Sequence, residues 1–197
     1  MNLKRILVIQ TAFLGDVILA SPIWENLHQQ FPEAQIDVVV KKGNEALLAE
    51  HPFLNQVYTF DKRQKLKNLW KLGKQLRQQR YELVINLQRF ASSGLLTFLT
   101  RAKESRGFQK NPLSFVYSKR FQHKLKEGWH EVDRNLQLIA DLVIQPKKRP
   151  QLYPTLSDIE KISSFQTSSY YGLAPTSVWF TKQAPKKIWL ALIEKLA

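Results

Sequence analysis

A single carboxylate stands where the first apolar run of the sequence passes into its first helix-like stretch. Asp16 follows the apolar residues 6–9 and directly precedes the apolar residues 17–19. In an α/β sheet, the carboxyl end of a strand lies beside the amino end of the next helix, and ligands bind in the crevice formed there. Asp16 is therefore a candidate site residue by position. The position equally suits an Asp that only caps the helix, so both interpretations stay open.

Two groups of hydroxyl-bearing residues could also contribute to a binding site. Ser92 and Ser93 stand at the start of a predicted helix, where they could cap it or offer hydroxyl and amide donors to an anionic group. Hydroxyls and an ammonium group lie close together near the end of the sequence, at Thr176, Ser177, Thr181 and Lys182. A cluster of this composition can donate hydrogen bonds to phosphate oxygens.

The elements that would position these residues follow an alternating pattern. Short apolar runs predict strands at residues 6–9, 36–40, 56–60 and 83–87. Helical periodicity and turn signals predict helices at residues 22–31, 44–50, 62–80 and 92–100. Strands that alternate with helices indicate βαβ units and a parallel sheet, so we expect a Rossmann-like α/β domain over residues 1–145.

The composition changes after this predicted domain. Residues 146–154 hold three prolines, which cannot continue a helix or a central strand, so this segment is predicted to be a linker. Beyond it we expect a short helix near residues 158–165, a strand at residues 170–174 and a helix from about Lys186. One strand and two helices cannot enclose a core, so residues 155–197 are predicted to begin a second unit that stops unfinished.

Positive charge is concentrated in the middle of the chain. The net charge is +14, and residues 61–130 carry 17 Lys and Arg against 4 Asp and Glu. Such a field favours anionic partners, namely phosphates, nucleic acid or an acidic membrane face. The lysines of the predicted helix could rest on anionic lipid or form a solvated surface; they are Lys62, Lys65, Lys67, Lys71 and Lys74.

Several function classes lack their sequence signals. The chain has no cysteine, no glycine-rich dinucleotide or P-loop motif, and no Gly-x-Ser-x-Gly elbow. Its four histidines have no partners at metal-ligand spacing, so no metal site is expected. No uncharged apolar run reaches membrane-spanning length, and we expect a soluble cytoplasmic protein.

Five segments together resemble one known family. Their order and spacing are similar to those of the ADP-heptose:lipopolysaccharide heptosyltransferases, glycosyltransferase family 9, over essentially the whole chain. The segments are residues 13–16, 91–96, 105–108, 129–136 and 174–185. The resemblance implies a GT-B fold of two Rossmann-like domains, with the acceptor bound by the first and the nucleotide sugar by the second. It also implies inverting transfer of heptose from ADP-heptose to a lipopolysaccharide inner-core acceptor, without a metal or other cofactor.

The resemblance also implies residue roles. Asp16 matches the family's catalytic carboxylate, which acts as base toward the acceptor hydroxyl, and Gly15 lets the backbone approach the acceptor. Ser92, Ser93 and Arg106 fall on the acceptor side; an exposed loop charge is the alternative for Arg106. The cluster Thr176, Ser177, Thr181 and Lys182 matches the donors to the phosphates of the nucleotide sugar. A cytoplasmic enzyme with peripheral contact to the inner membrane is expected.

Two departures from the family pattern limit these expectations. Ala184 stands where the family usually has Trp, and Thr176 stands where Gly usually follows Pro175. The sequence also ends at Ala197, so we expect an incomplete donor pocket and little or no turnover from these residues. The alternative is a non-catalytic basic module that binds nucleic acid or anionic membrane. Because no nucleic-acid-reading motif accompanies the charge, nucleic acid is not expected as a partner.

Overall fold

A computed structural model of the 197-residue chain describes residues 3–124, 128–163, 165, 169–177 and 179–196, and of Lys65 only the backbone. The described residues form two compact units, residues 1–154 and residues 155–197. Among the described helices, none is both long and apolar enough to cross a membrane.

The first unit is built on one parallel sheet of six strands. The sheet order is β3-β2-β1-β4-β5-β6. The strands are β1 (Arg5–Gln10), β2 (Gln35–Lys41), β3 (Leu54–Phe60), β4 (Leu83–Asn86), β5 (Glu104–Phe108) and β6 (Lys119–Phe121). The α/β class and the parallel sheet predicted from the alternating pattern are confirmed. β5 and β6 lie in a stretch where no apolar run predicts a strand.

Helices cover both faces of this sheet. The helices of the first unit are α1 (Leu14–Gln30), α2 (Lys65–Gln78), α3 (Ala91–Thr100) and α4 (Glu131–Leu136), and residues 45–48 form a 3-10 turn where a short helix is predicted. On one face, α1 and α4 bury Trp24, Leu27 and Leu136 against Ile6, Val8 and Ile85. On the other face, α2 and α3 bury Leu69, Leu72, Leu76 and Leu96 against Leu7, Ile9 and Val84. The strands are apolar on both sides because both sides are covered.

Helix α1 begins eight residues before Pro22, where the sequence predicts its body to start. Proline has no N–H, so the carbonyl of Ile18 loses its usual backbone donor inside the helix. The hydroxyl of Ser21 donates to that carbonyl at 2.9 Å instead. This local replacement allows the helix to continue through the proline and to begin next to the end of β1.

The proline-rich segment, residues 146–154, packs along α1. Asn26 donates from Nδ2 to the carbonyl of Lys147 at 2.8 Å and accepts from the N–H of Lys147 at 2.7 Å. The N–H of Gln151 donates to the Ser21 hydroxyl at 3.0 Å. The division into domains at 145 and 155 stays a prediction, but these bonds hold the predicted linker against the first unit.

The second unit contains two helices, α5 (Leu156–Ser163) and α6 (Lys186–Leu196), with a 3-10 turn at Phe180–Lys182 between them. Both helices agree with the sequence prediction, although residue 164 of the first predicted span lies outside the described residues. The strand predicted at residues 170–174 is not formed. A parallel strand needs a neighbour to satisfy its backbone groups, and the described part of this unit holds no second strand.

Candidate active site

Two helix amino ends meet at one edge of the sheet. β1 and β4 are adjacent and parallel, so their carboxyl ends lie at the same edge. α1 begins four residues after β1 ends at Gln10, and α3 begins five residues after β4 ends at Asn86. Helix amino ends carry free N–H groups and a partial positive charge, and both favour an anionic group.

Asp16 lies at this edge, in the first turn of α1. Its Oδ2 accepts a hydrogen bond from the N–H of Phe13 at 3.1 Å, so the helix-cap interpretation describes a real contact. The side chain is only half-buried, and Oδ1 has no hydrogen-bond partner among the described residues. The cap bond therefore fixes one oxygen and leaves the other for a ligand, so the two interpretations of Asp16 are compatible.

Gly15 offers an open surface beside this carboxylate. The residue is exposed, and a Cβ added to it would meet no atom within 4 Å. Its φ lies outside the left-handed region, so neither backbone conformation nor internal packing requires glycine here. The absence of a side chain leaves the first turn of α1 open to another molecule, and the use of this access by an acceptor stays a prediction.

The loop before α1 is held from two sides. Asn44 donates from Nδ2 to the carbonyl of Ala12 at 3.1 Å, and the N–H of Ala12 donates to Oε1 of Gln10 at 3.4 Å. Gln10 also donates from Nε2 to the carbonyl of Asp16 at 3.3 Å. A single amide at the end of β1 therefore positions both the loop and the first turn of the helix.

A network of buried amides joins the two helix amino ends. Gln88 donates from Nε2 to Oε1 of Gln10. Asn111 donates from Nδ2 to the carbonyl of Gln88 at 3.1 Å and to the hydroxyl of Ser93 at 3.3 Å. Gln10, Gln88 and Asn111 are not among the residues predicted from the sequence, although polar residues at the ends of apolar strand runs are the signal that could have found the first two. Buried hydrogen-bond networks of this kind rigidify a site.

The two serines of α3 have different environments. The hydroxyl of Ser93 is buried, donates to the carbonyl of Phe90 at 2.7 Å and accepts from Asn111. Ser92 is half-buried, and its hydroxyl has no hydrogen-bond partner among the described residues. Of the two, Ser92 is the one with a hydroxyl open to a ligand.

The structure buries Arg106, which the resemblance assigns to the acceptor side, inside the protein. Its side chain is 0% exposed, it contacts Oε1 of Glu104 at 2.7 Å, and it forms a two-pronged pair with Asp141. Its Nη1 also donates to the carbonyl of Leu138 at 3.0 Å. Burial alone would raise the pKa of Asp141, but hydrogen bonds from Arg106 and Lys119 outweigh it and lower the pKa to about 2. Arg106 is therefore neither the exposed loop charge of the alternative nor open to an acceptor; its contacts join β5 to the segment after α4.

A histidine and an arginine outside the predicted set lie near the same edge. Arg89 is exposed and follows Gln88 directly. His123 packs edge-on against Phe108, with ring centroids 4.9 Å apart. Burial lowers the pKa of His123, and repulsion from Arg89 lowers it further. Arg89 is a positive charge at this edge that an anionic ligand could use.

The predicted phosphate-binding residues belong to the second unit. Thr176, Thr181 and Lys182 are exposed, and Lys182 forms no ion pair among the described residues. The hydroxyl of Ser177 accepts from the N–H of Trp179 at 3.1 Å, which turns the chain into the 3-10 turn that carries Thr181 and Lys182. These four residues share one short loop, as their spacing predicts. Val178 lies outside the described residues.

Within the described residues, no group of three or more His, Asp and Glu side chains is placed to hold a metal ion. The described histidines take part in hydrogen bonds and ring contacts with other side chains and backbone groups. His130, for example, caps α4: its Nδ1 accepts from the N–H of Val132 at 3.3 Å. The expectation that no metal or other cofactor is needed stays a prediction.

Comparison with known proteins identifies a family. The sequence model of glycosyltransferase family 9 (heptosyltransferase) matches residues 69–197. Lipopolysaccharide heptosyltransferase 1 of Pseudomonas aeruginosa is 26% identical over 204 residues, covering 98% of this chain and 58% of that protein. The match spans both units, and it includes the segments with Asp16 and Lys182.

Two solved structures share the fold. A family 9 glycosyl transferase from Veillonella parvula superposes with a TM-score of 0.84 at 20% identity, covering 99% of this chain and 60% of that one. The ADP-heptose lipopolysaccharide heptosyltransferase II of Escherichia coli superposes with a TM-score of 0.78 at 23% identity, covering 98% and 61%. The fold class predicted from the resemblance is confirmed. The chain spans about 60% of the length of these proteins.

Proposed function

Because the chain belongs to glycosyltransferase family 9, we propose that it transfers heptose from ADP-heptose to an inner-core sugar of lipopolysaccharide. The matched relative and one of the solved structures are named for this chemistry. The observation that carries the proposal is the Asp16 carboxylate, fixed through Oδ2 and open at Oδ1, at the carboxyl edge of the sheet. A non-catalytic basic module has no support among the matched proteins, which are named as transferases.

In this proposal Asp16 is the base of an inverting transfer. Oδ1 accepts the proton of the acceptor hydroxyl while the acceptor oxygen bonds to the anomeric carbon of the heptose. The bond from that carbon to the diphosphate oxygen breaks, and ADP leaves with the electron pair. Because the N–H of Phe13 holds Oδ2 at 3.1 Å, the carboxylate is already oriented before the acceptor binds.

The acceptor would bind across the two helix amino ends. Gly15 gives it access to the first turn of α1, Ser92 offers a hydroxyl from α3, and Arg89 supplies a positive charge for anionic groups. Ser93 and Arg106 act indirectly, because their polar atoms are buried and already paired. Their contribution is to hold α3 and β5 in place.

The donor phosphates would meet the loop of the second unit. Thr176, Ser177, Thr181 and Lys182 place three hydroxyls and one ammonium group within seven residues. Charge develops on the diphosphate as the glycosidic bond breaks, and such donors stabilise it without a metal.

Acceptor binding separates the role of the first unit from the complete reaction. Isothermal titration with the core oligosaccharide of heptose-deficient lipopolysaccharide should show saturable binding, and a heptose-bearing core blocked at the same hydroxyl should bind more weakly. Acceptor-dependent release of ADP from ADP-heptose then tests transfer. No binding of the heptose-free core, or ADP release that is independent of it, would refute the proposal.

A further inference from the structure

Aromatic side chains stand directly before both helices that begin at the candidate active site. Phe13 precedes α1 and Phe90 precedes α3. Folding favours Ser, Thr, Asp or Asn at this position, because their side chains accept hydrogen bonds from the first helical N–H groups, and a phenyl ring has no such acceptor. In α4 and α5 the corresponding residues, His130 and Thr155, accept these bonds at 3.3 and 3.0 Å. Helix capping therefore does not explain the two phenylalanines.

Core packing does not explain them either. Phe13 is 64% exposed and Phe90 is 65% exposed. Within the described part of the chain, neither belongs to the two clusters of buried side chains that join the helices to the sheet. Large apolar side chains that are exposed at one site mark binding surfaces more often than scattered single ones. The two rings are therefore candidates for contact with a ligand.

Phe13 is tied to the carboxylate of Asp16 and held on one side by a lysine. Its N–H donates to Oδ2 of Asp16 at 3.1 Å. Nζ of Lys41 lies over its ring, 5.4 Å from the centroid. A cation is attracted to the face of an aromatic ring, so Lys41 occupies one face and the exposed area leaves the opposite face open. The residue that orients Asp16 thus also presents an open aromatic face.

Phe90 is fixed relative to Phe13 through the buried amides. Nδ2 of Asn111 donates to the carbonyl of Phe90 at 2.9 Å. Gln88, two residues before Phe90, donates to Gln10, three residues before Phe13. Both rings therefore stand on backbone that is already positioned, which lowers the entropic cost of binding a ligand.

We propose that Phe13 and Phe90 determine acceptor specificity by stacking on the apolar faces of its sugar rings. Phe13 takes the sugar that carries the reacting hydroxyl, and Phe90 takes a neighbouring sugar of the same oligosaccharide. The C–H groups of a sugar ring carry partial positive charge, and the face of an aromatic ring is negative, so the two attract each other. The sugar hydroxyls then meet Oδ1 of Asp16 and the hydroxyl of Ser92, the combination of aromatic surface and few polar groups that is typical of small-molecule sites. This role rests on the proposed transferase function.

Isothermal titration with the heptose-free core oligosaccharide tests the stacking role. Phe13→Ala and Phe90→Ala should each weaken binding at least about tenfold, because each removes apolar area that the sugar covers. Phe13→Tyr keeps the aromatic face and should bind within about twofold of the wild type, whereas Phe13→Leu keeps only apolar bulk and should lose about fivefold. Both positions are exposed, so folding should persist and is checked by circular dichroism. If Phe13→Ala does not fold, the comparison of Tyr with Leu decides.

Phe98 provides the matched control. It is 58% exposed and lies eight residues after Phe90, about 12 Å further along α3. Phe98→Ala should bind the core within about twofold of the wild type, as expected for a site outside the contact. Unchanged binding in Phe13→Ala and Phe90→Ala, or an equal loss in Phe98→Ala or Phe13→Tyr, would overturn the stacking role and leave the proposed transfer standing. A wild type that does not bind the core would refute both.

Discussion

Replacing Asp16 by Asn separates the two roles that the structure gives this side chain. The Asn side-chain oxygen can still accept from the N–H of Phe13, so the cap bond at 3.1 Å is retained. The negative charge at the amino end of α1 is lost, which costs about 0.3–1 kcal/mol of stability. Asp16→Ala also removes the cap, for a further loss of about 1 kcal/mol. Urea unfolding should therefore rank the wild type, Asp16→Asn and Asp16→Ala in decreasing order of stability.

Activity should follow a different order. Neither Asn nor Ala can take a proton from the acceptor hydroxyl, so both variants should lose about 100-fold to 10,000-fold in rate. The assay is mass-spectrometric detection of the heptosylated acceptor, with protein in excess over acceptor so that slow transfer is measurable. The two substitutions thus differ in stability but agree in rate.

A second Asp provides the matched control. Asp133 occupies the same helical position in α4, and its Oδ2 accepts from the N–H of His130 at 3.0 Å. Asp133 also pairs with Nζ of Lys148 at 2.6 Å, so Asp133→Asn should lower stability at least as much as Asp16→Asn, and it should leave the transfer rate within about twofold of the wild type. Transfer by Asp16→Asn at the wild-type rate, or an equal loss of rate in Asp133→Asn, would refute the assignment of Asp16 as the base.

Four further predictions follow from individual contacts. Gly15→Leu should leave the unfolding free energy within about 1 kcal/mol of the wild type, because a Cβ at this position meets no atom within 4 Å. The same variant should weaken acceptor binding at least about tenfold in isothermal titration, and an unchanged affinity would contradict the proposal that the acceptor approaches the backbone at Gly15. Arg106→Gln should lower the urea-unfolding free energy by about 2 kcal/mol, because it removes a buried cation and leaves Lys119 to pair with both Glu104 and Asp141, and a loss under about 1 kcal/mol would show that the pair is not structural. Tyr81→Phe removes a donor from the buried carboxylate of Asp37 and should cost about 2 kcal/mol in the same measurement, whereas a neutral effect would show that Asn55 suffices. Burial lowers the pKa of His51 from 6.5 to about 4, so the neutral ring's contribution to stability is complete above pH 6.5 and falls by about 3 kcal/mol as the pH drops from 6.5 to 4. His51→Gln should therefore flatten the pH dependence of the urea-unfolding free energy between pH 6.5 and 4. An unchanged slope would show that His51 is not the group that titrates there.

The predicted part of the fold comes from residues whose burial is visible locally. Residues 6–9 form a continuous apolar run, and residues 36–40 form one interrupted only by Asp37, because their strands are covered on both faces; such runs identify central parallel strands. The helical spacing of Leu66, Leu69 and Leu76 predicts α2 in the same way, and Leu69 and Leu76 are buried while Leu66 is exposed. By contrast β6 is a three-residue edge strand with the sequence Lys-Arg-Phe, which has no apolar pattern to detect.

A candidate site residue can be predicted from the sequence where one residue carries the signal, and it is missed where its partners are distant in the sequence. Asp16 is recognisable because a carboxylate between a strand and a helix is locally unusual. Arg106 is an ordinary charge in the sequence, and only Asp141, 35 residues later, makes its burial possible. The pairing of Gln88 with Gln10 spans 78 residues, so no local pattern reveals it.

That amide pair also constrains how the protein can change over evolution. Gln10 supplies one acceptor oxygen to Ala12 and Gln88 and one donor nitrogen to the carbonyl of Asp16. Glu at either position would remove a donor and leave a buried acceptor facing another acceptor. Substitutions at 10 and 88 should therefore be tolerated mainly in compensating pairs. Among relatives, the residues at positions 10 and 88 are therefore expected to covary. Such covariation would show that the hydrogen bond between the ends of β1 and β4 is maintained as a pair.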